Sequence, residues 1–265
     1  MLVLVDTHCH LDFNLFDNDR NEVISRAKEA GLERILNPGI NIASSQNVLE
    51  YAITQELLYA AVGIHPNEAS SWQDDYLDVL ENLASNKKVV AIGEIGLDYY
   101  RDFSPREFQM YIFQQQLDLA GEVGLPVVIH NRDASEDVIN ILSDWCSELI
   151  RKASPLVERP GVLHSFSSDL KMAKSAIELN FYIGFTGPVT FRKAEQLRQI
   201  VIELPLEKLL IETDAPFLTP HPYRGRRNEP AYVHYVAEKI AEVKKISLEE
   251  VASTTTQNAK KLFLW

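Results

Sequence analysis

The sequence predicts an α/β chain folded as a (β/α)8 TIM barrel. Three observations lead there: short apolar, β-branched runs alternate with longer amphipathic segments from end to end, these runs number eight, and most histidines stand at their carboxyl ends. Alternation of this kind marks repeated strand-helix units in a parallel sheet. A length of 265 residues suits such a barrel, which typically has about 250 residues, whereas a doubly wound sheet more often has fewer strands.

The expected strands are Leu2 to His8, Arg34 to Pro38, Leu58 to Ile64, Val89 to Glu94, Pro126 to His130, Gly161 to His164, Phe181 to Thr186, and Leu209 to Asp214. Segments between them have helical periodicity, as in Ser104 to Glu122, where Phe113, Leu117 and Ala120 share a face. Gly31, Gly124 and Asn180 stand where helices should stop, each just before the next strand. Lys152 to Pro160, with two prolines, reads as the longest irregular connection and as a surface loop. No linker or low-complexity tract interrupts the pattern, so one barrel domain over 1–265 is expected.

With 46% hydrophobic and 24% charged residues, the composition is that of an ordinary globular protein. No apolar stretch reaches the ~18 residues of a membrane span. Asp6 breaks the N-terminal run before it could serve as a signal-peptide core, so a cytoplasmic protein without membrane contact is expected. Cys9 and Cys146 form no Cys-X-X-Cys pair and no disulfide framework, which fits that compartment. A formal charge of −12 argues against a broad basic surface for nucleic acid. Attraction to a polyanion must then be local.

Active sites of such barrels lie at the carboxyl ends of the strands. Those ends carry His8 and His10, His65, Glu94, His130, His164, and Glu212-Thr213-Asp214. In Asp6-Thr7-His8-Cys9-His10, alternate side chains share a face, so the two imidazoles converge with Asp6 beside them. An isolated His-X-His decides nothing, because it equally suits a hydrogen-bonded polar strand end. Four histidines and two carboxylates aimed at one barrel mouth are more than one divalent ion requires. Two ions separated by ~3.5–4 Å and sharing a carboxylate accommodate the surplus. Glu94 is the expected bridge, since Gly93 and Gly96 clear room around it.

Asp6-Thr7-His8-Cys9-His10-Leu11-Asp12, Gly93-Glu94-Ile95-Gly96-Leu97-Asp98, Leu125-Pro126-Val127-Val128-Ile129-His130-Asn131-Arg132 and Glu212-Thr213-Asp214-Ala215-Pro216-Phe217-Leu218 together resemble the TatD family of metal-dependent deoxyribonucleases. The likeness runs on to Thr256-Gln257-Asn258-Ala259 and so covers essentially the whole chain. It implies a TIM-barrel hydrolase with two divalent ions, Mg, Mn or Zn. His8, His10, Glu94 and Asp214 would hold the first; Glu94, His130 and His164 would hold the second. His65 would line the site beside them, in a catalytic and substrate-binding role, or else serve as a helix cap. Two departures stand out. Ser168-Asp169 replaces the usual glycine after Ser165-Phe166-Ser167, and His65-Pro66-Asn67 replaces His-Pro-His.

A divalent ion acidifies water enough to give hydroxide near neutral pH. Amidohydrolases that open with His-X-His usually bridge their metals with a modified lysine on strand four, but here that position is Glu94, and Lys87 and Lys88 precede the strand. A phosphodiester also needs cations for its non-bridging oxygens, which guanidinium matches bidentately. Arg132 and the Tyr223-Arg224-Gly225-Arg226-Arg227 loop are the expected donors, Arg224 foremost. Tyr99, Tyr100 and Phe217 offer faces for bases, unless they serve only as packing. Asp214 would be catalytic, accepting a proton from the attacking water, and Glu212 would orient a histidine. The expected activity is a cytoplasmic deoxyribonuclease of exonuclease type with DNA as substrate. Two alternatives stay open, hydrolysis of carboxylic or aminoacyl esters such as misacylated tRNA and a metal-binding scaffold without activity. Oligomeric state stays open too, a monomer being compatible.

Overall fold

The computed structural model describes residues 2–101 and 103–265. Eight parallel strands pair in sequence order: β1 (Leu4–Asp6), β2 (Leu32–Pro38), β3 (Leu58–Val62), β4 (Val89–Asp98), β5 (Val127–Arg132), β6 (Gly161–Leu163), β7 (Tyr182–Phe185) and β8 (Leu209–Ile211). Between them run α1 (Arg20–Glu29), α2 (Ile42–Thr54), α3 (Tyr76–Ala84), α4 (Arg106–Val123), α5 (Ser135–Arg151), α6 (Leu170–Glu178) and α7 (Glu195–Glu203), and α8 (Val233–Lys244) and α9 (Leu248–Phe263) follow β8. This is a TIM barrel. Gly31, Gly124 and Asn180 take positive φ just past α1, α4 and α6, as helix stops require.

The ring closes through residues that follow β1 and β8. Thr7 N donates to Ile211 O (3.2 Å), Asp214 N to His8 O (2.9 Å) and His10 N to Ala215 O (2.7 Å). The barrel interior is filled by buried residues from all eight strands, Val5, Leu36, Ala61, Val128, Val162, Tyr182 and Leu210 with Val90 and Ala91 both from β4. Ala259, Leu262 and Phe263 of α9 join that layer, so the last helix plugs the end opposite the strand tips. Lys88 lies at that same end, its Nζ donating to the carbonyls of Gln55, Glu56 and Leu58.

All eight strands lie within a few residues of their expected positions, and the differences have physical causes. β1 stops at Asp6 rather than His8, because the Asp6 carboxylate accepts from His8 N (3.2 Å) and turns the chain there. β4 runs on to Asp98 rather than ending at Glu94. Ile92 pairs Val127 while Ile95 pairs Ile129, so β4 carries one extra residue across Gly93-Glu94, a bulge that re-aims the Glu94 side chain before pairing resumes. The Lys152 to Pro160 connection contains a short helical turn, Pro155–Glu158, with Leu156 fully buried beneath it. It is therefore not the longest irregular stretch; that is 212–229, behind β8.

Gly96 makes the resumed pairing possible. Its φ is +141°, and a Cβ there would lie 2.0 Å from His130 O on β5. Gly96→Ala should therefore combine backbone strain with a clash that only separation of β4 from β5 relieves. We expect a loss of roughly 3 kcal/mol or more in stability, read as a lowered midpoint of denaturant unfolding.

Candidate metal centre

The strand tips bring His8, His10, His65, Glu94, His130, His164 and Asp214 into one cluster; three donor sets drawn from it each lie within 4.8 Å. His8 Nε2 and His10 Nε2 are 3.1 Å apart and stand 3.4 and 3.6 Å from Glu94 Oε2. Asp214 Oδ1 flanks them, at 3.9 Å from His8 and 3.5 Å from His10. Glu94 Oε1 faces the other way. His130 Nδ1 and His164 Nε2 each lie 2.8 Å from it, with His65 Nε2 at 3.5 Å.

Burial would raise the pKa of Glu94, yet the imidazoles around it, His164 first, hold it well below the usual range. Asp214 is likewise lowered against its burial, chiefly by His10. Burial, helped by neighbouring imidazoles, pushes His8 down to about 4 and His65 down to about 3. Burial works in the same sense on His10 and His130, but carboxylate partners reverse it and take both up to about 9. The outer nitrogens His8 Nδ1, His10 Nδ1, His130 Nε2 and His164 Nδ1 are buried without a hydrogen-bond partner among the described residues. Imidazole nitrogens crowded on two carboxylates, with no protein donor or acceptor to share them out, suit divalent ions better than protons.

The scaffold beneath is polar and largely satisfied. Asp6, expected beside the histidines, instead directs its carboxylate to the seam, accepting from Thr213 N (2.9 Å) and Thr213 Oγ1 as well as from His8 N. One buried carboxylate thus ties the turn carrying His8 to the turn carrying Asp214. Glu212, expected to orient a histidine ring, holds backbone instead. Its Oε2 accepts from Ser165 N (2.8 Å), next to His164, and its Oε1 from Thr7 Oγ1 (3.2 Å). Burial pushes its carboxyl up to about 7.

On α4, Gln109 and Gln116 lie seven residues apart on one buried face. Gln116 accepts from Ile64 N (2.7 Å) and donates to Ile64 O (3.1 Å), fixing the residue before His65. Gln109 does the same for Asp98, at 2.9 and 3.1 Å. His65 combines both expected roles, because its Nδ1 accepts from Asn67 N (3.1 Å) as a helix cap while Nε2 faces Glu94. Asn67 Nδ2 donates to Asp98 Oδ2 (3.4 Å), and Asp169 caps α6 through Met172 N (2.8 Å).

Above the cluster opens a cleft of about 720 Å³. Arg132 lines it, its guanidinium 4.0 Å over the Tyr100 ring. Arg224 does not; it stacks 3.7 Å over Phe191, while Arg227 pairs with Asp19 at 2.6 Å. Arg101 lines the cleft instead, together with Phe13, Phe103 and Phe217. Tyr99 is no free platform, since its hydroxyl donates to Asp137 (2.6 Å) and Arg106 covers its ring. Arg101, Asp98, Phe13 and Phe103 were missed in the sequence. Asp98 had a signal: with β4 continued, 94, 96 and 98 alternate onto one face, and its Oδ2 lies 3.4 Å from His130 Nε2.

A family model described as TatD related DNase matches residues 5–264. A Bacillus subtilis protein named as the metal-dependent hydrolase YabD is 46% identical over 98% of this chain and 99% of its own. A protein of Erwinia tasmaniensis named 3'-5' ssDNA/RNA exonuclease TatD is 36% identical, covering 98% of this chain and 99% of its own. Among solved structures, YJJV of Escherichia coli, a TatD homologue, superposes with a TM-score of 0.90 at 33% identity, over 99% of this chain and 98% of that one.

Glu94→Gln keeps shape but removes the charge that faces both donor sets. The variant should retain the circular dichroism of the parent and bind measurably less divalent metal, checked by elemental analysis after equilibration with Mn or Zn. Unchanged metal content would remove Glu94 from the centre.

Proposed function

Because this chain belongs to the TatD-related DNase family, we propose that it is a metal-dependent hydrolase that cleaves phosphodiester bonds of single-stranded nucleic acid, DNA foremost, from an end. The observation that carries this reading is the division of Glu94, whose two oxygens face separate sets of imidazoles at the floor of an arginine-lined cleft. Two divalent ions, Mg, Mn or Zn, fit that division. His8, His10, Glu94 and Asp214 would hold one, and Glu94, His130 and His164 the other. When bound, such ions acidify water toward neutral pH and withdraw charge from a phosphoryl oxygen.

The remaining roles fall to the protein. Asp214, held ionised among imidazoles, accepts the proton of the attacking water. Because Nδ1 of His65 accepts from backbone, its one proton sits on Nε2, so the wall beside Glu94 presents a hydrogen-bond donor to a substrate oxygen. Arg132 and Arg101 present guanidinium groups to the non-bridging oxygens. Arg224 has no part in this. With a net charge of −12 the protein has little long-range attraction for a polyanion, so these local contacts do the positioning. Among the described residues no helix is long and apolar enough to cross a membrane.

Chelator-stripped protein should leave a labelled oligonucleotide intact and regain cleavage as Mg, Mn or Zn is restored singly, with carboxylic and aminoacyl esters turned over far more slowly. Faster ester turnover would replace the phosphodiester reading. Arg132→Lys should lower kcat/KM on the oligonucleotide about tenfold, since lysine keeps the charge but loses the fork. Arg224→Lys should leave it unchanged.

A further inference from the structure

The cleft is polar at its floor and aromatic at its mouth. On the side of β1 and β8, the Phe13 ring lies on His10 with centroids 4.8 Å apart, and Phe217 stands edge-on to Phe13 at 5.9 Å. On the side of β4 and β5, Phe103 lines the same cleft beside Arg101 and Arg132. Phe103 is 62% exposed and Phe217 47%, large apolar faces turned to solvent around a charged centre. Such rings in a concave site mark a ligand surface rather than packing.

Buried amides bond to backbone at or near both rings. Asn228, fully buried, donates through Nδ2 to Thr213 O (2.9 Å) and Phe217 O (2.6 Å). Gln109, also buried, donates through Nε2 to Asp98 O (3.1 Å) and Ser104 O (2.9 Å), bracketing the loop that carries Phe103. Asp98 Oδ1 accepts from Tyr100 N (3.0 Å) and Arg101 N (2.9 Å) within that loop. An exposed ring on a held backbone, as Phe217 is through its carbonyl, loses little conformational freedom when a flat partner stacks on it.

We propose that Phe217 and Phe103 form two stacking platforms for unpaired nucleobases on either side of the scissile phosphate, with Phe13 as the support of the first. The ligand class follows from the chemistry: a flat aromatic heterocycle for each ring, joined by an anion that sits between them at Arg101 and Arg132. Stacking accepts every base and requires that the base be out of a duplex. This inference rests on the phosphodiester reading above and adds to it the residues that select the substrate.

The test uses the metal-restored, full-length protein with two oligonucleotides of one length, one ordinary and one with abasic sites at the terminal nucleotides. The parent protein should show a KM about 5- to 100-fold higher for the abasic substrate. Phe217→Ala and Phe103→Ala should raise KM for the ordinary substrate by a similar factor and narrow the gap between the two substrates, whereas Phe217→Trp should restore it. If the parent cleaves both oligonucleotides with the same KM, or the alanine variants preserve the gap, the platforms are refuted while phosphodiester cleavage stands. Failure to cleave either substrate under any metal would overturn the phosphodiester reading, and the platforms with it.

Discussion

The upper half of this barrel is arranged around one carboxylate, Glu94, set in the middle of the strand tips and 3% exposed. Desolvating such a charge costs several kcal/mol unless it is closely partnered, and five imidazoles approach its two oxygens within 3.6 Å. That demand shapes the backbone. β4 takes on a bulge to aim the side chain, Gly96 lets β4 rejoin β5 beyond it, and the tips of β1 and β8 close on each other so that His8, His10 and Asp214 arrive together. Gly184 on β7 belongs to the same arrangement. A Cβ there would lie 2.2 Å from Glu212 Oε1, so its absence makes room for the second buried carboxylate.

How much was legible in the sequence depended on whether the information was local. The eight strands were readable because buried parallel strands are short runs of apolar, β-branched residues. His8, His10, His130, His164 and Asp214 were readable because strand tips form the mouth of any such barrel. Glu94 stands among the imidazoles, placed there by a bulge rather than by a strand end. The arginines divide. Arg132, the last residue of β5, lines the cleft, whereas packing against Phe191, 33 positions away in sequence, holds Arg224 out of it. Tyr99 takes the packing alternative, because its partner Asp137 lies on α5, far along the chain.

Charge is distributed to match the task. A protein of net charge −12 repels a polyanion at distance, and screening confines that repulsion to about 10 Å or less at ordinary ionic strength. Inside that range the cleft offers two guanidinium groups and a donor cluster suited to cations. On the proposed reading a polyanion is attracted locally at this mouth, which favours a strand end entering the cleft over a duplex lying along the surface.

The choice of clamp follows from which backbone groups need a partner. Under the cluster, backbone N–H groups are held by carboxyls that burial pushes toward the neutral form, Asp6 at the seam and Glu212 at Ser165. At the rim the same job of holding strand-tip backbone is done by the neutral amides Gln109, Gln116 and Asn228. A carboxylate would accept a backbone N–H but could not donate to a carbonyl. At Asp98, two backbone N–H groups and Asn67 bind the carboxylate oxygens and His130 lies beside it, so little of its charge faces the cleft. Where a backbone N–H alone needs a partner a carboxyl serves, and where a carbonyl needs a donor only an amide does.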